Sequence, residues 1–152
     1  MKAEKGDPRS FSREQCLALV ASVPIGRVVY TDQALPAVLP MNFALERDEV
    51  VIHTGSGSTL AAAIRNAVVA FQVDDFDPDT MTGWSVTITG QARLADGGEE
   101  EATRLARLPL RPWVPTTNGQ FIRIPARHVR GHRLGPARTD ALDEAVAQDQ
   151  MS

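Results

Sequence analysis

Residues 84–95 alternate apolar and polar side chains without a break, and this segment constrains the fold more than any other part of the sequence. Alternation at every second position places the apolar side chains on one face of an extended chain and the polar ones on the other. The polar face carries Ser85, Thr87, Thr89, Gln91 and Arg93. The pattern predicts one strand over residues 84–95, with one face buried and the other exposed, as in an antiparallel sheet.

Shorter segments of the same extended character are separated by turn residues. Strands are predicted over residues 26–31, 36–45, 49–54, 68–74, 121–124 and 129–134. Pro36 and Pro40 confine the second of these strands to a sheet edge or a bulge, because proline has no backbone N–H to donate. The turn that precedes this strand is predicted at Asp32 and Gln33.

Three short helices interrupt the predicted strands. The first is expected to begin after Ser12, because Ser12 and Gln15 have the spacing of a capping box and an apolar stripe follows. Two more are predicted over residues 59–66 and 99–108. Since strands and helices do not alternate as βαβ units, the sequence predicts a mainly β fold, a small antiparallel barrel with peripheral helices.

Length, charge and apolar patterning exclude several classes of protein. A chain of 152 residues predicts one domain, assigned to residues 1–138, followed by an acidic tail over residues 139–152 that is expected to be frayed or disordered. The formal net charge of −3 argues against a nucleic-acid partner. No secretory leader or long apolar run is recognisable, so no membrane contact is predicted and a cytoplasmic location is expected.

A loop of small residues at positions 55–58 joins a predicted strand to a predicted helix. Backbone N–H groups at the start of a helix, together with the hydroxyls of Ser56, Ser58 and Thr59, suit a phosphate group. The alternative is an ordinary turn in which Ser58 only caps the helix. The residues alone leave both interpretations open.

Other candidate sites are weaker. His128 and His132 are four residues apart, but no third ligand is near them in the sequence, so no metal site is predicted. Five arginines and no acid lie between residues 121 and 138, which suits either a small anionic ligand or a solvated strand face. No nucleophile motif is present and Cys16 lies on an apolar helix stripe, so no catalytic side chain is assigned. Any chemistry is therefore expected to come from a bound cofactor.

An ordered set of segments resembles the pyridoxamine 5'-phosphate oxidase-like family of FMN-binding split β-barrels. The segments are GRVVYT (26–31), LPMNF (39–43), VIHTGSGS (51–58), VAFQVD (69–74), WSV (84–86) and TGQAR (89–93). The resemblance covers roughly residues 11–134. It implies a six-stranded antiparallel split β-barrel that forms a homodimer, with two flavin sites at the interface.

The resemblance also implies which residues contact the cofactor. The isoalloxazine ring is expected against the strand of Met41, Asn42 and Phe43. The ribityl chain is expected beside His53 and Thr54, and the phosphate beside Ser56, Gly57, Ser58, Thr59 and Leu60. A polar contact with the flavin is expected from Ser85, next to Trp84. Residues reaching the site from the partner subunit are expected to be Trp113 and Arg111.

Two departures from the family pattern modify these expectations. Relatives commonly have lysine or arginine where this chain has Thr59, and the loss of that charge-assisted contact costs about 1.5–3 kcal/mol. Arg65, Arg93 or Arg123 is expected to compensate. The chain also ends without the arginine-bearing segment that holds substrate in true pyridoxamine phosphate oxidases, so oxidation of vitamin B6 is not expected.

The resulting hypothesis is a homodimeric FMN-binding oxidoreductase that uses reduced nicotinamide or a similar donor on a small-molecule acceptor. A deazaflavin coenzyme is the alternative to FMN. The alternative function is non-catalytic binding of flavin or haem on the same fold, with His53, His128 and His132 as candidate haem ligands. A third hypothesis is an interaction module whose acidic tail and basic strands recruit a partner.

Overall fold

Within residues 9–55, 59–110 and 119–135, which the computed structural model describes, the chain forms three helices and nine strands. The helices are α1 (Arg13–Ala21), α2 (Thr59–Ile64) and α3 (Gly98–Ala106). The strands are β1 (Ile25–Asp32), β2 (Leu35–Asn42), β3 (Ala44–Glu46), β4 (Glu49–Gly55), β5 (Val68–Asp77), β6 (Thr82–Gln91), β7 (Arg93–Leu94), β8 (Gly119–Pro125) and β9 (His128–Leu134). The predicted acidic tail lies outside the described residues. None of the described helices is long and apolar enough to cross a membrane.

The strands form two antiparallel sheets. Sheet 1 has the order β2-β1-β5-β6-β9, and sheet 2 has the order β3-β4-β8-β7. Because β2 runs on into β3 and β6 runs on into β7, the chain passes directly from one sheet to the other at two corners. Six strand segments therefore follow one another around a barrel that is split at these corners, and β9 is added beside β6. The predicted mainly β fold, a six-stranded antiparallel split barrel with peripheral helices, is confirmed.

The two corners lie at Phe43 and Ala92, and they correct two predicted strand boundaries. The segment 84–95 forms two strands, because the Ala92 N–H leaves the ladder of sheet 1 and donates to the Ala67 carbonyl at 2.8 Å. β7 then pairs with β8 in sheet 2. The segment 36–45 is divided in the same way, since the Phe43 N–H donates to the Pro24 carbonyl at 3.3 Å.

Three local sequence signals are confirmed. The Ser12 hydroxyl accepts from the Gln15 N–H at 3.1 Å, and the Gln15 side chain accepts from the Ser12 N–H at 2.8 Å, which completes the capping box of α1. The proline-bearing strand β2 is an edge strand of sheet 1. Cys16 is fully buried, and burial raises the pKa of its thiol, as expected for a packing residue.

The turn between β1 and β2 lies one residue later than predicted, at Gln33 and Ala34. Asp32 pairs with Leu35, so the register leaves a two-residue loop between them. Both loop residues have positive φ, +51° at Gln33 and +67° at Ala34, as in the mirror-image turns that suit the twist of a hairpin. Neither residue is of the type that favours this backbone, which is why the sequence does not reveal the turn.

We expect Ala34→Gly to raise the free energy of unfolding by about 1 kcal/mol, because glycine has no Cβ to clash in the left-handed region. Urea denaturation followed by circular dichroism measures the change. Ala37→Gly, in the adjoining strand β2, is the matched control and should lower stability, since glycine weakens a strand interior. A gain at both positions, or at neither, would contradict the strain explanation.

The barrel interior is centred on the fully buried ring of Phe71 on β5. Phe43, at the first corner, meets this ring edge-on, with 4.8 Å between centroids and 65° between the ring planes. A Cβ added at Gly26 of β1 would overlap the same ring. The Phe71 ring therefore supports the corner at Phe43 and leaves no room for a side chain at position 26.

A cluster of charged side chains joins α3 to the face of sheet 2 that points away from this core. Its members are three arginines and three glutamates: Arg93, Arg104, Arg123, Glu46, Glu49 and Glu101. Arg123 lies at the centre, 5% exposed, and forms ion pairs with all three glutamates. Burial alone would lower the pKa of Arg123, but hydrogen bonds with Glu49 and Glu46 hold that pKa above its ordinary value. The cluster is thus charge-balanced and ties β3, β4, β8 and α3 together.

Glu46 makes this cluster sensitive to pH. Its hydrogen bond with Arg104, followed by that with Arg123, lowers the pKa of the carboxyl below its ordinary value of 4.5. A lowered folded-state pKa contributes stability that is present above pH 4.5 and is lost as the pH falls through the folded value.

Glu46→Gln should therefore reduce the free energy of unfolding at pH 7 by about 2 kcal/mol and flatten its decline below pH 5. Thermal unfolding at pH 7, 5, 4 and 3 measures both effects. Glu100→Gln, on the exposed face of α3, removes the same charge and should leave the pH dependence unchanged. If both variants lose stability in parallel with the native protein on acidification, Glu46 is not the group responsible.

Candidate functional site

The corner between β2 and β3 is where the resemblance places the flavin ring. The side chains of Met41 and Phe43 pack into the barrel core, and Phe43 is only 5% exposed. Of these three residues, Asn42 has its side chain outside the core, where its Nδ2 atom lies 3.5 Å from the Pro24 carbonyl. Asn42 is thus the side chain of the three that is directed away from the core.

His53 lies on the outer face of sheet 2, where its ring stacks on that of Phe121 of β8. The ring centroids are 4.5 Å apart and the ring planes are inclined by 24°. A Cβ added at Gly119 would overlap the His53 ring, and Nε2 is the ring atom nearest to it. The glycine therefore leaves the space that the imidazole occupies. Nε2 thus faces the backbone of β8 at Gly119. Thr54 points to the opposite face of β4 and is buried.

The segment implied to hold the phosphate is described only in part. Ser56, Gly57 and Ser58 lie outside the described residues, as do Arg111 and Trp113. Thr59 is the first residue of α2, and Leu60 is buried in the barrel core. In the sequence, residues 56–58 connect the end of β4 to the start of α2.

Ser85 lies on the outer face of sheet 1, at the wall of an open pocket of about 640 Å³. The pocket is lined by Ser10, Ser85, Thr87, Thr89, Arg130, Gly131 and His132. These residues supply four hydroxyls and two basic side chains but no carboxylate. Such a lining suits a ligand rich in hydrogen-bond acceptors or carrying negative charge. Trp84, on the other face of the strand, packs against the core.

Sequence reasoning missed most of this lining as a site. Thr87 and Thr89 were visible as the polar face of an alternating strand, and Arg130 as part of a basic segment. What joins them is the antiparallel pairing of β6 with β9, which sets Thr87 opposite Arg130 and Ser85 opposite His132. That pairing depends on contacts that no local pattern encodes.

Within the described ranges, a single chain does not gather the predicted site residues into one cavity. Asn42 on β2 and Ser85 on β6 share the outer face of sheet 1, but β1 and β5 lie between them, a separation of about 14 Å. His53 belongs to sheet 2. Asn42, Ser85 and His53, all implied to contact one flavin, therefore lie at three separate places on the described part of the chain.

A second pocket, of about 420 Å³, lies beside Phe43 and is mainly apolar. It is lined by Ala21, Ser22, Val23, Pro24, Phe43, Ala44, Leu45, Leu108 and Pro109. None of these residues lines the Ser85 pocket. The corner implied to meet the flavin ring thus borders a concave apolar surface.

Two of the three arginines expected to compensate for Thr59 are engaged elsewhere. Arg123 is buried among carboxylates, and Arg93 pairs with Glu49 at 3.0 Å. Arg65 is exposed and follows α2 directly, so it is the candidate nearest in the chain to the implied phosphate segment.

The histidine pair on β9 does not form a metal site. In a strand, residues four apart share a face but lie about 13 Å from each other. Across the described ranges, no group of three or more His, Cys, Asp or Glu side chains is placed to hold a metal ion.

Comparison with known proteins decides the family. Residues 12–133 match the family described as pyridoxamine 5'-phosphate oxidase, which covers most of the chain. The chain belongs to the pyridoxamine 5'-phosphate oxidase-like family. The resemblance seen in the sequence is thereby confirmed.

Three proteins illustrate what this family member is similar to. The uncharacterised protein Rv0080 of Mycobacterium tuberculosis is 38% identical over 129 residues, which is 82% of this chain and 84% of that protein. A solved FAD-binding protein from Mycobacterium smegmatis is 29% identical, with a TM-score of 0.71, over 83% of this chain and 97% of its own. A solved conserved protein of unknown function from Corynebacterium diphtheriae is 30% identical, with a TM-score of 0.69. The match covers 84% of this chain and 97% of that protein.

Proposed function

We propose that this protein is a homodimeric, flavin-binding oxidoreductase of the cytoplasm. The observation that carries the proposal is the Ser85 pocket, whose lining contains hydroxyls and basic side chains but no carboxylate, at the strand position that the resemblance assigns to a flavin contact. Flavin nucleotides carry phosphate, carbonyl and ring-nitrogen acceptors, which match hydroxyl and basic donors. The likeness to the FAD-binding protein of Mycobacterium smegmatis supports the same cofactor class.

FMN is the proposed cofactor, with FAD or a deazaflavin as the alternatives. When bound, the flavin supplies hydride or electron transfer between a reduced nicotinamide, or a similar donor, and a small-molecule acceptor. The residues of the chain bind and orient it: Ser85 and Asn42 by hydrogen bonds, and the segment 56–60 with Arg65 at the phosphate. No side chain is assigned as an acid or a base.

The proposed site is completed by a second copy of the chain. The distance between Asn42 and Ser85, and the position of His53 on the other sheet, support a site built from residues of two subunits. Sedimentation equilibrium with and without flavin tests this point. A monomer that binds flavin at full affinity would contradict it.

The cofactor is tested by the absorption spectrum of the purified protein, followed by mass spectrometry of what is released on denaturation. We expect bands near those of oxidised flavin, or uptake of FMN, FAD or deazaflavin by the colourless protein. A preparation that binds none of the three overturns the proposal.

Catalysis is tested separately from binding. Anaerobic addition of reduced nicotinamide should bleach the bound flavin if the protein is an oxidoreductase. A bound flavin that no nicotinamide reduces favours storage or sensing instead. A Soret band after haem addition that disappears in His128→Ala or His132→Ala would favour the haem-binding alternative.

Thr59→Arg should tighten FMN binding by about 10-fold or more, because it restores a charge-assisted contact with the phosphate. Fluorescence quenching of FMN measures the affinity. Ala62→Arg, on the exposed side of α2, adds the same charge without the implied contact and should change the affinity little. Equal gains in both variants would show that charge alone, rather than position 59, matters.

A further inference from the structure

Gln72 on β5 connects Ser85 to two charged side chains on the outer face of sheet 1. Its Nε2 atom donates to the Ser85 hydroxyl at 3.1 Å and to the Asp74 carboxylate at 2.8 Å. Its Oε1 atom accepts from Arg27 at 3.2 Å. Arg27 and Asp74 also form an ion pair, with 3.6 Å between Nη1 of Arg27 and Oδ2 of Asp74. The amide of Gln72 is therefore held at both ends.

The charged neighbours fix the orientation of this amide. An ionised carboxylate only accepts hydrogen bonds and a guanidinium only donates them. Turning the amide over would set Oε1 against the Asp74 carboxylate and Nε2 against the Arg27 guanidinium, so both contacts would become repulsive. The amide NH2 group must consequently face Ser85.

This orientation decides what Ser85 can offer to the pocket. A serine hydroxyl has one proton to donate, and its oxygen already accepts from Gln72. Within the described residues the Ser85 hydroxyl makes no other hydrogen bond. Its proton is thus available to the pocket, whose lining contains no carboxylate to take it.

We propose that Gln72 is a positioning residue that holds Ser85 as a hydrogen-bond donor, so that the pocket selects a ligand with a carbonyl oxygen, ring nitrogen or anionic oxygen at that point. The inference rests on the proposed function, in which that ligand is the flavin. Arg27 and Asp74 act through Gln72 and need not touch the ligand.

The test is a double-mutant cycle between positions 72 and 85, read out by the Kd for FMN, the visible absorption maxima of bound FMN and its reduction potential. Ser85→Ala removes the donor and should weaken binding about 3- to 10-fold. Gln72→Glu cannot donate to Ser85 and draws the hydroxyl proton to its own carboxylate, so it should weaken binding by a similar factor and shift the spectrum. In the Ser85→Ala background, Gln72→Glu should add almost nothing.

Matched variants separate this mechanism from charge and folding effects. Gln91→Glu adds the same charge on the same face of sheet 1, where Gln91 donates to the Asn66 carbonyl, and should leave affinity and spectrum unchanged. Gln72→Met neither donates nor accepts, so it frees the hydroxyl and should weaken binding less than Gln72→Glu. Thermal unfolding confirms that each variant is folded.

The outcomes distinguish the inference from the proposed function. A native protein that binds no flavin overturns the proposed function. A native protein that binds FMN, with a Gln72→Glu effect that is absent or persists undiminished in the Ser85→Ala background, overturns the role of Gln72 alone.

Discussion

Replacing Arg123 by methionine is expected to lower the free energy of unfolding by about 3–5 kcal/mol. The substitution keeps much of the apolar volume but leaves Glu46, Glu49 and Glu101 without their common cation. These carboxylates, with side chains 14–19% exposed, are partly desolvated, so without their partner they retain that cost and also repel one another. Chemical denaturation at pH 7 measures the loss.

Arg93→Met is the matched control for Arg123→Met, because Arg93 pairs with the same Glu49 but is 56% exposed. Its removal should cost less than about 1 kcal/mol. Arg123→Lys keeps the charge but cannot reach several carboxylates with one planar group, so it should fall between the two. Equal losses for Arg123→Met and Arg93→Met would show that the burial of Arg123 does not determine how much its ion pairs contribute to stability.

Phe71→Ala is expected to destabilise the protein by about 3–5 kcal/mol, since it empties the centre of the barrel. The effect should extend to the site, because the Phe71 ring supports Phe43 at the corner implied to meet the flavin. We therefore expect weaker FMN binding as well as a lower melting temperature. Phe76→Ala, on the same strand but 43% exposed, should cost less than about 1 kcal/mol.

Gly26 provides an internal check on the Phe71 result. Gly26→Ala alone should cost about 1–3 kcal/mol, because the new methyl group overlaps the Phe71 ring. Once Phe71→Ala has removed that ring, the same change should cost clearly less. Strict additivity of the two losses would mean that Gly26 is required for its backbone rather than for the space it leaves.

The parts of the fold that the sequence predicts are those set by local chemistry. The capping box of α1 involves residues three apart, the alternation in β6 follows from one buried face, and the prolines of β2 lack the N–H groups that an inner strand needs. Each of these signals depends on residues close together in the sequence, so the local sequence pattern is enough to predict the structure.

The features that the sequence does not predict depend on distant partners. The corner at Ala92 exists because its N–H bonds to Ala67, and nothing near position 92 indicates this. Arg123 resembles any basic strand residue until β3, β4 and α3 bring glutamates around it. The Ser85 pocket likewise requires β9, and the donor role of Ser85 requires Gln72 on a neighbouring strand. Local patterns therefore identify single candidate site residues but do not predict how those residues are arranged in space.

The pairing of β4 with β8 has a consequence for how the chain is made. β4 is synthesised in the first half of the chain, but its partner strand emerges from the ribosome only near the end. Until then β4 presents an unpaired apolar edge, the kind of surface that promotes aggregation and recruits chaperones. The β1–β2, β3–β4 and β5–β6 hairpins can all begin to form during translation, whereas the pairing of β4 with β8 that completes sheet 2 must wait for nearly the whole chain.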